Sequence, residues 1–251
     1  MNSAASDIIV AIALLLVLVA AFEAGFRIAR AAHADARASG QVGAVQGAIL
    51  GLLGLLLGFS FAAAGARFLE RQDLIVTEAN AIGTAYLRAD LLPEPHRARL
   101  RDALRDYTRY RVEISSTIRQ GLAAAAHDTI QRQHADMWRA ALEGANARPE
   151  TILAVLPPVN DVIDLHSTRL AAGQKHLPAL VMGLLIASSV LSLGTMGYAS
   201  GIGGRRRAPL TVPLAFLIAS SLWITIDLDH PRAGLMRLSD APLEALRFDT
   251  P

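Results

Sequence analysis

Residues 43–65 read GAVQGAILGLLGLLLGFSFAAAG, with small residues at Gly43, Gly47, Gly51, Gly54, Gly58, Ala62 and Gly65. The steps between them are four, four, three, four, four and three, an eleven-residue pattern that keeps every small position on one side of a helix and favours a right-handed crossing. In water, glycines inside a helix weaken it. In lipid, a small-xxx-small face lets two backbones approach closely. The stretch therefore reads as a buried transmembrane helix in a bundle or oligomer, with Gly43, Gly47, Gly54, Gly58, Ala62 and Gly65 as helix-packing positions.

Composition points the same way. Of 251 residues, 53% are hydrophobic, 18% charged and 5% aromatic, and the mean hydropathy is +0.36, too apolar for a soluble domain of this size. Four apolar runs stand out at Ile8 to Phe26, Gly43 to Ala66, Leu177 to Tyr198 and Pro209 to Ile226. Each can cross about 30 Å of hydrocarbon as a helix. The residues before the first run, MNSAASD, hold Asp7 and no Lys or Arg, which is unlike a cleaved signal peptide, so the run is expected to be retained.

The expected fold is an all-α integral membrane protein with four transmembrane helices and a helical-bundle insert between the second and third. Its expected parts are a first helix pair over 1–66, a soluble helical insert over 67–176 continuous with the second membrane helix, a second helix pair over 177–226, and a polar C-terminal tail over 227–251. In the insert, Leu100, Leu104, Tyr107, Arg111, Ile114 and Ile118 share one helical face. A further helix carries Ile130, His134, Met137, Trp138 and Leu142. Another, interrupted by Pro157 and Pro158, carries Val159, Val162, Ile163, His166 and Leu170. No alternating strand pattern bounded by hairpin turns is present.

Chemistry-bearing residues are sparse in the membrane runs. Glu23, four residues before Arg27, is expected to form an i to i+4 pair at the membrane interface, with Arg67 at the end of the glycine-striped run. The lack of an Asp/Glu/His chain through the apolar runs argues against a proton pump. Asp227, Asp229 and His230, just past the fourth run, are candidate ligands for a hard divalent ion, against an interfacial polar turn as the alternative. His127 and His134 are further candidates, and Glu78, Asn80, Thr84, Arg88 and Asp90 form either a polar seam in the bundle or a solvated face. HExxH, GxSxG, Walker and GxGxxG signatures are missing, so neither an enzyme nor a cofactor is expected. The arginines lie beside acidic neighbours rather than in an aromatic-interleaved basic stripe, which argues against nucleic acid as a partner.

The segment LGFSFAAAGARFLERQDLIVTEANAIGTAYLRADLLPEP resembles a bacterial bestrophin-like family of four-helix membrane proteins of unknown function, related distantly to the bestrophin channels. The family's second membrane helix carries Gly-Phe, then an arginine nine residues after the glycine, then two tryptophans. Gly58, Phe59 and Arg67 match, and Phe68 and Leu69 replace the tryptophans. The tail IDLDHPRAGLMRLSDAPLEAL matches more loosely at Pro231, Gly234, Asp240, Pro242 and Leu243, without the dense acidic cluster that animal members use for calcium. A calcium-gated mechanism therefore does not carry over.

The resemblance implies a homo-oligomer, a pentamer in the bestrophins, with a pore constriction falling on Gly51, Leu55 and Phe59, the glycine being a departure from the family's bulky residues. It also implies a multi-pass protein of the bacterial inner membrane, with the lipid bilayer and inorganic ions as partners. Insert and both termini are then cytoplasmic, a placement the arginine and lysine count leaves open, with six on each side. The alternative is a non-conducting sensor or scaffold whose helical insert binds a ligand or partner.

Overall fold

The computed structural model describes residues 3–32, 39–117, 123–205, 208–231, 235–246 and 248. Ile118 and the 206–207 arginine pair thus lie outside the described residues, as does the side chain of His127. The protein is about 89% helical, with no strand among the described residues. In order, the helices are α1 (Ser3–Ala31), α2 (Ser39–Arg88), α3 (His96–Thr117), α4 (Ala123–Ala147), α5 (Ile152–Gln174), α6 (Ala179–Ile202), α7 (Ala208–Asp229) and the short α8 (Ala241–Glu244). Runs long and apolar enough to cross a membrane lie in Ile8–Ala31, Gly40–Leu91, Pro149–Ile202 and Thr211–Asp229. The chain divides into two compact units, 1–68 with 176–237, and 69–175 with 238–251. Helix α2 gives its residues 39–68 to the first unit and 69–88 to the second.

In the first unit α1 packs chiefly on α6 and also on α7. The crossing with α6 is glycine-mediated. A Cβ on Gly197 would fall inside the Phe22 carbonyl group, one on Gly25 inside the Gly194 carbonyl, and one on Gly201 would lie 2.7 Å from both the Ala29 Cβ and the Phe26 oxygen. Around it Leu18, Phe22, Leu53, Leu185, Leu193, Ile218 and Leu222 form the apolar core. Among the described residues of this unit, the close-packing glycines are therefore those of α1 and α6. Along α2, by contrast, a Cβ on Gly43, Gly47, Gly51, Gly54, Gly58 or Gly65 would meet nothing within 4 Å. That helix instead buries Leu53, Ser60 and Ala64, a seam at steps of seven and four on its other side.

The second unit is a helical bundle around Ile75, Ile82, Tyr86, Leu100, Leu104, Tyr107, Met137, Val159 and Val162. The face expected from Leu100 to Ile114 is buried. On α4, Trp138 and Leu142 are half-exposed, and Ala141 and Ala145 take the inner positions. Gly144 makes this possible, since a Cβ there would sit 2.7 Å from Leu92 and 2.9 Å from His96.

Pro157 and Pro158, expected to interrupt a helix, lie inside α5 without breaking it. Each proline removes the hydrogen bond to the carbonyl four residues earlier. For Pro158 that is the Ala154 carbonyl, which accepts from Arg88 Nη1 at 3.0 Å, and for Pro157 it is that of the exposed Leu153. The other end of α5 is capped by buried Arg71, which donates to the carbonyls of Ala172 at 3.0 Å and Lys175 at 2.5 Å.

The last residues are more than a polar tail. Leu243 is buried in the bundle core, Phe248 meets the Tyr86 ring edge-on at 5.0 Å, and Gln72 exchanges two hydrogen bonds with the Ser239 backbone, at 3.0 and 2.9 Å.

Replacing Gly197 by Leu should force α1 and α6 apart and cost at least about 1–3 kcal/mol, the range for overpacking. Thermal unfolding of the purified protein in detergent should show this loss for Gly197→Leu, and no comparable loss for Gly47→Ala.

Candidate functional site

Three groups of residues carry the chemistry. The first is the open side of α2. Leu55 is 55% exposed and Phe59 67%, beside Gly51, Gly54, Gly58 and Ala62, which are likewise exposed. One helix face thus presents bulky apolar side chains next to a shallow strip of small ones. Glu23 and Arg27 are paired at 2.8 Å on α1, as an i to i+4 contact exposed enough to be worth only tenths of a kcal/mol.

The second group gathers at the end of α7. Asp229 is 2% exposed on its side chain, and its carboxylate is heavily organised. The Leu177 backbone amide donates to Oδ1 at 3.1 Å and to Oδ2 at 2.9 Å, and Arg67 Nε donates to Oδ1 at 3.3 Å. Oδ2 also faces His176 Nδ1 at 3.4 Å and His230 Nδ1 at 3.9 Å, and the two imidazoles stack at 4.5 Å with an interplanar angle of 8°. Among the expected ligands, Asp229 and His230 are therefore together, with His176 as their third neighbour. Asp227 is used differently. Its carboxylate accepts the backbone amides of Leu235 at 2.9 Å and Met236 at 2.8 Å, tying those two residues to the end of α7. Nothing in the local sequence announced His176, since it lies 53 residues before Asp229.

The third group is a buried ionic cluster in the bundle. Glu78 on α2 is 0% exposed and is met by Tyr107 Oη at 2.7 Å, by Arg111 Nε at 3.1 Å, and by Arg169 from α5. Glu78 thus turns inward, whereas Asn80, Thr84, Arg88 and Asp90 lie on the exposed side of the same segment. The Tyr107 ring leads on to His134 at 5.4 Å and from there to His166 at 5.1 Å, so His134 belongs to this buried stack. Burial pushes the Tyr107 phenol up to about 12, and the Arg111 guanidinium beside it, which favours the phenolate, only partly offsets this. The phenol stays neutral and donates to Glu78, the role its position requires.

Residues 10–243 match a protein-family model described as a bestrophin-like domain. Among solved structures, the chain is similar to a tryptophan-to-alanine variant of a bacterial bestrophin homologue from Klebsiella pneumoniae. The TM-score is 0.62 at 17% sequence identity, covering 93% of this chain and 92% of that one, a likeness of fold. No curated protein matches the sequence.

Substituting Glu78→Gln should destabilise the protein by about 3–5 kcal/mol in denaturant unfolding, because two buried guanidinium groups lose the carboxylate they share. Tyr107 gives a second readout. Its folded value of about 12 lies above the ordinary 10.0, so its contribution is present below about pH 10 and is lost as pH rises from 10 towards 12. In an alkaline absorbance titration of the folded protein, one tyrosine should ionise late, and that late step should vanish in Tyr107→Phe.

Proposed function

The chain belongs to the bestrophin-like family, and from that membership we propose that it is a homo-oligomeric ion channel whose constriction is formed by α2. The observation that carries this is the two-sidedness of that helix: its seam of Leu53, Ser60 and Ala64 is buried within the chain, while the glycine stripe with Leu55 and Phe59 is uncovered. Lipid gains little by covering glycines, whereas a second copy of the helix gains close van der Waals contact along them. Copies closing in this way would turn Leu55 and Phe59, one helical turn apart, towards the common axis, with Gly51 a turn further along as a wider, wettable ring. An apolar constriction of this type gates by dewetting and by size. Family resemblance favours five copies, in the bacterial inner membrane, with the helical unit and both termini cytoplasmic. On that reading Glu23, Arg27 and Arg67 serve at the interfaces.

A second reading has the helical unit as a ligand sensor without conduction. A cleft of about 650 Å³ beside Arg105, Arg109, Leu243 and Phe248 favours it.

The purified protein in planar bilayers should pass current, with Leu55→Ala and Phe59→Ala increasing it several-fold. Mass measurement should give an oligomer that Gly54→Leu reduces to a folded monomer. A wild-type monomer that conducts no ion would overturn the channel and leave the sensor. Cysteine labelling at Arg139→Cys and Arg205→Cys in intact cells should mark only the latter from outside.

A further inference from the structure

Asp229 and the two stacked histidines form a set whose use the channel reading does not require. We propose that His176, Asp229 and His230 bind a borderline transition-metal ion of the zinc class. One oxygen and two imidazole nitrogens lie within 4.8 Å of one another. Ligand atoms around a tetrahedral ion with bonds of about 2.0–2.1 Å stand about 3.3 Å apart. The Oδ2 to His176 Nδ1 distance of 3.4 Å already matches, and the Oδ2 to His230 Nδ1 distance of 3.9 Å needs a small rotation. That rotation is available, because the histidine side chains are 40% and 53% exposed whereas Asp229 is fixed.

The carboxylate is oriented as a ligand should be. Arg67 holds Oδ1 and the Leu177 amide bridges both oxygens, which fixes the carboxylate with Oδ2 facing the two rings, the outer-shell arrangement that fixes ligand geometry in metal sites. In the free protein each Nδ1 donates its proton to a backbone carbonyl, His176 to that of Asp229 at 3.0 Å and His230 to that of Ile226 at 3.2 Å, so binding moves the proton to Nε2 and turns the bared Nδ1 onto the ion. Two nitrogens and one oxygen select against calcium and magnesium, which take oxygen shells. Three protein ligands leave a fourth position for water or an anion. Asp227 is no part of the set, since its oxygens are taken by the amides of residues 235 and 236. This site stands whether or not the protein conducts.

The test uses the full chain in detergent with Co²⁺ as probe, followed by visible absorption. The expected result is the intense spectrum of a four-coordinate ion at one site per chain, displaced by Zn²⁺ and unaffected by a hundredfold excess of Ca²⁺ or Mg²⁺. His176→Ala and His230→Ala should each weaken binding by about tenfold or more. His96→Ala should leave binding unchanged. Unfolding curves that superimpose on wild type show that the exposed histidine variants still fold. His176→Gln serves as the second variant if the alanine form unfolds. A weak six-coordinate spectrum, displacement by Ca²⁺, or binding that survives the double histidine substitution would each overturn the site.

Discussion

The membrane unit depends on how closely α1 and α6 approach. Within hydrocarbon no apolar surface is rescued from water when two helices meet, so their association rests on van der Waals contact, and that contact is strongest where side chains are smallest. Gly25, Gly197 and Gly201 supply it, with the Gly194 carbonyl, the Phe22 backbone and Ala29 filling the space that the missing side chains leave. Where this contact draws α6 onto α1, with α7 alongside, α2 joins them through its Leu53, Ser60 and Ala64 seam, through half-buried Leu56 and Leu57, and through Arg67 on Asp229. The glycine-striped side of α2 over 43–65 is thereby left without a neighbour in the chain.

In the helical unit the corresponding constraint is electrostatic. A carboxylate with no exposure to water is tolerable only when its lone pairs are filled, and Glu78 achieves this by drawing on Tyr107 and Arg111 of α3 and on Arg169 of α5. Sliding any one of these helices by a turn would strand a buried charge. Arg71 and Arg88 do related work through neutral acceptors, closing the C-terminal end of α5 and the carbonyl that Pro158 leaves open. Arginine suits these positions because a rigid fork of donors reaches two acceptors at once and stays charged when buried.

The two aspartates at the end of α7 divide their labour according to what faces them. The backbone amides of Leu235 and Met236 occupy Asp227, and that of Leu177, just before α6, meets Asp229. Both carboxylates therefore organise chain ends, and only Asp229 keeps an oxygen turned towards side chains that can share a ligand.

From the residues alone, the all-helical fold, the apolar runs and the inward face of α3 were legible, because hydrophobic length and helical period are local properties. The bestrophin-like relationship was legible too, through Gly58, Phe59 and Arg67 with the tail motif. Pairings between distant segments were not. The spacing of three and four in Gly194, Gly197 and Gly201 is of the same kind as that of the α2 stripe, yet only the folded chain shows which of the two packs inside it. In the same way, nothing local joins His176 to Asp229, removes Asp227 from their company, or brings an arginine on α2 to the carbonyl that Pro158 leaves open. A sequence records the period of a face and the chemistry of its residues. Which face meets which is decided by the sum of contacts over the whole fold.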